Sequence, residues 1–63
     1  MKRVSYFLEF LEKGKKAEKS SRLMTFVNDF DDYTKIEKDL MSYYGKKEDL
    51  KYFKIRIEQI EEM

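Results

Sequence analysis

The sequence predicts an α+β fold: a three-stranded antiparallel sheet with chain order β-β-α-β and sheet order 3-1-2, covered by one helix. Three observations lead there. Val4, Tyr6, Leu8 and Phe10 alternate as one face of a strand, and Phe53, Ile55 and Ile57 alternate with charged residues in the same way. Between these segments, Tyr33, Ile36, Leu40 and Tyr43 or Tyr44 fall at the spacing of one helical stripe.

The first strand runs through Val4-Ser5-Tyr6-Phe7-Leu8-Glu9-Phe10-Leu11, a stretch dense in aromatic and β-branched side chains. Gly14, in the polar segment that follows, marks a hairpin loop, and Leu23 to Val27 returns as the second strand. A helix also fits the opening stretch, with Val4, Phe7, Leu8 and Leu11 at i, i+3, i+4 and i+7. A second helical stripe can be drawn through Leu50, Phe53, Ile57 and Ile60. An all-α chain of two or three helices is therefore the alternative fold, and the absence of Pro is compatible with it.

The second strand passes into a helix through Asn28-Asp29-Phe30-Asp31-Asp32-Tyr33. Asn28 or Asp29 is the expected N-cap, since either side chain can accept from a free amide of the first turn, and Asp31 and Asp32 then lie against the positive end of the helix dipole. The helix is expected over Asp31 to Tyr44, with Gly45 at a left-handed C-cap. The third strand follows over Tyr52 to Ile60. A right-handed crossover places it beside the first strand and antiparallel to it. One helix covers one face, so Phe7, Leu11, Tyr52 and Ile60 are expected on or near the other, as an apolar cluster to be buried in a dimer or against a partner.

At 63 residues the chain makes a single domain, 1–63, and so short a chain buries only about 60% of its unfolded surface. That favours a homodimer. Without His or Cys the sequence lacks the commonest catalytic base, metal ligand and nucleophile, and it contains no Gly-rich phosphate loop. Asp29, Asp31 and Asp32 have neither the spacing of a calcium loop nor its closing Glu. The expectation is a non-enzyme with no metal and no cofactor. No apolar run approaches the roughly 20 residues that span a bilayer, and Met1-Lys2-Arg3 is followed by Glu9 and Glu12, not by a signal-peptide core. These features predict a soluble intracellular protein without a membrane segment.

Charged residues make up 43% of the chain and aromatics 16%, more large rings than a core of this size uses. The net charge is only +1, which makes a general nucleic-acid binder unlikely, yet the charge is segregated along the sequence. Lys13, Lys15, Lys16, Lys19 and Arg22 form a basic stretch without an aromatic platform, and Asp29, Asp31, Asp32, Glu37 and Asp39 form an acidic one.

Several segments together resemble the small uracil-DNA glycosylase inhibitor family of tailed Bacillus phages. The alternating strand Val4-Ser5-Tyr6-Phe7-Leu8 running into Glu12-Lys13-Gly14-Lys15, the entry Asp29-Phe30-Asp31 into the helix, the closing Tyr44-Gly45 and the charged–apolar alternation of Lys54-Ile55-Arg56-Ile57-Glu58 all have counterparts there. The family carries Glu where Asp31 stands, and the helix here is longer by about a turn. The resemblance implies a protein that binds host uracil-DNA glycosylase in the host cytoplasm and blocks its DNA groove. Such an enzyme wedges an apolar side chain into the duplex while flipping a base. The resemblance implies that Phe30 and Tyr33 line a pocket for that wedge, in the family at a dimer interface, with Asp31 and Asp32 as phosphate mimics. Tyr44 is the other candidate for the partner-contacting tyrosine. For Phe30 a hydrophobic anchor at the helix start is the competing role. The competing classes are an inhibitor of a different nucleic-acid enzyme, and a nucleic-acid binder acting through Lys13 to Arg22.

Overall fold

The computed structural model describes all of residues 1–63 and consists of β1 (Lys2–Glu12), β2 (Lys19–Val27), α1 (Tyr33–Gly45) and β3 (Leu50–Glu62). β1 is central and pairs antiparallel with both others, giving the sheet order β2-β1-β3. The expected α+β arrangement is therefore observed, and the all-α alternative is not.

One face of the sheet meets the helix. Val4, Tyr6 and Leu8 of β1 pack with Ile36, Leu40 and Tyr44 of α1, and these six are the buried residues of the chain. Phe10, Leu23, Val27, Leu50, Phe53, Ile55 and Ile57 extend this core as half-buried residues. So small a core leaves little stability in reserve.

Each strand is longer than its alternating sequence suggests, and β3 contains two irregularities. Ser5 pairs with Gln59 and Tyr6 with Ile57, so Glu58 is an extra residue; Leu11 pairs with Tyr52 and Glu12 with Leu50, so Lys51 is another. Each bulge reverses the inward–outward phase. Leu50 and Ile60 are thereby placed opposite Glu12 and Val4, on the helix side. This corrects the expectation that Ile60 lies on the uncovered face.

Phe7, Leu11 and Tyr52 do lie on that face, but they do not form a bare apolar cluster. The guanidinium groups of Arg22 and Arg56 sit 5.3 and 5.4 Å from the centroid of the Phe7 ring. Both arginines are held by Glu58, at 3.2 and 3.7 Å. Tyr52 donates its hydroxyl to Glu18 at 2.6 Å across the sheet. Long charged side chains thus cover the ring that the alternation leaves without a helix.

The turns also differ from expectation. Gly14 adopts φ +81° in the β1–β2 turn, the left-handed region where a side chain is disfavoured. Gly45 does not: it is the last helical residue, and the chain leaves through Lys46 in a right-handed conformation with Lys47 N donating to Tyr44 O at 3.1 Å.

Candidate functional site

The β2–α1 connection is built from a turn and a cap in series. Asn28 O accepts from Asp31 N at 3.1 Å, closing a turn with Asp29 and Phe30 at its tip. The chain then extends at Asp32 (φ −88°, ψ 175°), whose carboxylate accepts from Lys35 N at 2.9 Å while its carbonyl accepts from Ile36 N at 3.0 Å. Asp32 is therefore the N-cap. Neither Asn28 nor Asp29 takes that place, because the turn separates them from the helix by three residues or more.

The remaining groups of the connection are fixed from outside it. Asp29 pairs with the N-terminal ammonium of Met1, and Lys2 Nζ donates to Asp31 O at 3.4 Å. Lys35 is held above the ordinary lysine range, first by its 2.8 Å hydrogen bond to Asp39 and then by the charges of Asp39 and Asp31. Asp39 and Asp31 thus both favour the charged form of this neighbouring cation.

At the tip of this turn Phe30 is 99% exposed. It anchors nothing within the chain, so the role of a hydrophobic anchor at the helix start is excluded by its position. Tyr33 opens the helix beside it and is 52% exposed. Phe30, Asp31, Asp32 and Tyr33 are consecutive along one exposed corner. Tyr44 is elsewhere: it lies eleven residues along α1, about 16 Å at the helical rise, and is only 7% exposed. Its hydroxyl bonds to Tyr6 in the core, so it presents to a partner only the little surface it contributes to the groove between α1 and β2.

A feature the sequence did not single out lies next to this corner. The helix leaves open a groove of about 620 Å³ against β2, bounded by Leu23, Thr25 and Val27 on the strand and by Ile36, Leu40 and Tyr43 on the helix. Tyr43 is more than half exposed at its margin, while Met24 and Phe26, also more than half exposed, alternate to the uncovered face of the sheet opposite Ser5 and Arg3. Asp31 and Asp39 stand at the same groove, so it combines an apolar floor with an acidic rim. The signal available in advance was the surplus of aromatics, which implied free rings but not their place.

No helix is long and apolar enough to cross a membrane. Comparison with known proteins finds no matching family model, curated protein or solved structure.

Proposed function

We propose that the chain is a non-catalytic protein inhibitor that docks its Phe30 corner into the DNA-binding groove of a host uracil-DNA glycosylase. The observation that carries this reading is a fully exposed aromatic ring on a turn whose flanking residues, Asp29, Asp31 and Asp32, are all acids. An exposed Phe on a monomer surface gains free energy only when something covers it. A partner with a positive groove and an apolar side chain meets both requirements. Asp31 and Asp32 then stand at phosphate positions, and Phe30 and Tyr33 receive the apolar wedge together with the groove between β2 and α1. The resemblance of the short segments named above supplies the identity of the enzyme, and the host cytoplasm as the place of action.

A homodimer belongs to the same reading. The six-residue core is too small to be self-sufficient, and the apolar surface still free is on β2 and the helix start. The test of function is direct: purified protein is titrated into a bacterial uracil-DNA glycosylase acting on uracil-containing duplex. Near-stoichiometric arrest of excision is expected, and undiminished excision in large molar excess of folded protein overturns the proposal.

A further inference from the structure

We propose that the end of the molecule opposite Phe30 binds the phosphate backbone of nucleic acid. β1 runs the length of a molecule measuring 39 × 19 × 14 Å, with the acidic corner at one end and the β1–β2 turn at the other. At that far end two loops are tied together, since Lys13 N donates to Asp49 O at 2.8 Å and Glu12 pairs with Leu50. The tie gathers Lys13, Lys15 and Lys16 of the turn with Lys46 and Lys47 after the helix and Lys51 at the β3 bulge.

None of these six lysines makes an ion pair. The acids among them are Glu12, Glu18, Glu48 and Asp49; Glu12 is taken by Lys19 at 2.9 Å and Glu18 by the Tyr52 hydroxyl. Counting Lys19, seven lysines face four acids there, while the whole chain carries only +1. The acidic corner does not cancel this excess for an approaching polyanion. It lies several Debye lengths away, since screening at physiological salt acts within about 8 Å.

The chemistry of the end selects the partner. Its cations are all lysines, point charges suited to phosphate without base readout, whereas the arginines sit on the sheet face with Glu58 and Glu61. No large exposed aliphatic side chain lies there to enter a bilayer, only the methyl of Ala17; the nearest exposed rings are Tyr43 and Tyr52. Binding of this kind is sequence-independent, weaker than the docking of Phe30, and independent of it. An inhibitor so equipped is concentrated on the polymer its target searches.

The test is fluorescence anisotropy with a labelled duplex lacking uracil, across a salt series starting at about 50 mM. Binding is expected, with a slope of log K against log salt of about −3.6 to −5.4, corresponding to about four to six phosphates. The variant Lys13→Glu/Lys15→Glu/Lys16→Glu should lose at least tenfold in affinity, and Lys46→Gln/Lys47→Gln severalfold, with both folded by circular dichroism and both still inhibiting the glycosylase. The second variant is decisive for the convergence of the two loops. No binding at low salt, unchanged binding by the triple variant, or equal binding to polyglutamate or to phosphatidylserine vesicles overturns the proposal.

Discussion

The hydroxyl groups of Tyr6 and Tyr44 lie 2.7 Å apart, joining the central strand to the last turn of the helix by a hydrogen bond inside the core. The two rings meet edge to face, with centroids 6.2 Å apart. No other buried side-chain hydrogen bond joins the helix to the sheet, so this pair adds the one directional tie to the apolar packing between them.

Tyr44→Phe should destabilise the fold by about 1 kcal/mol, the usual net worth of such a bond. The effect should depend on pH. Burial, and then the bond to Tyr6, hold the Tyr44 phenol well above its ordinary range. The unfolded chain loses that proton first, so this stabilisation is complete below about pH 10 and declines as pH rises above it. Urea denaturation of both proteins at pH 8 and above pH 10 checks this: the difference between them should shrink at the higher pH.

Phe30→Ala should leave stability unchanged, because the ring is 99% exposed and touches nothing that folding buries. If the ring is the anchor proposed above, glycosylase binding should weaken by about 1–3 kcal/mol. Thermal melts and an inhibition titration on the same sample separate the two effects.

Neighbouring acids should behave differently from each other. Asp32→Ala removes the N-cap and should cost about 1 kcal/mol of stability, besides weakening inhibition through the loss of one phosphate mimic. Asp31→Lys removes no side-chain hydrogen bond of its own carboxylate, and should weaken inhibition through repulsion from a positive groove without the loss of a cap. Added salt should relieve part of the Asp31→Lys defect and none of the Asp32→Ala defect in the melt.

Equilibrium sedimentation at micromolar concentration should give the mass of a homodimer. Phe26→Glu, on the half-exposed flank of β2, should shift the mass toward the monomer, whereas Phe7→Leu, under its two arginines, should not. A wild-type monomer would assign the free apolar surface wholly to a different partner.

The order of the strands and the place of the helix were legible because alternation in Val4 to Phe10 and the stripe Ile36, Leu40, Tyr44 each bury one face. What blurred the reading was β3. Its two bulges set Leu50 three residues before Phe53 and Ile60 three after Ile57, which is helical spacing in the sequence and one continuous inward face in the sheet. The cap was misplaced for a related reason: Asn28, Asp29, Asp31 and Asp32 can all cap, and only the intervening turn decides among them. At the candidate site, Phe30 to Tyr33 could be named from the sequence. The burial of Tyr44 and the groove beside β2 could not, since both depend on how far the helix leans from the second strand.

The same bulges give the sheet two unlike edges. β3 presents an irregular row of amides and carbonyls that another strand cannot match, a device by which natural sheets avoid edge-to-edge aggregation. β2 pairs with β1 without a break from Lys19 to Val27, and its outer row is equally regular. Only Lys19 and Arg22 guard it, both near one end, and no Pro interrupts it. Resistance to fibril growth therefore rests on the β2 side, and a concentrated chain whose β2 edge is left uncovered is open to templated strand addition on this side alone.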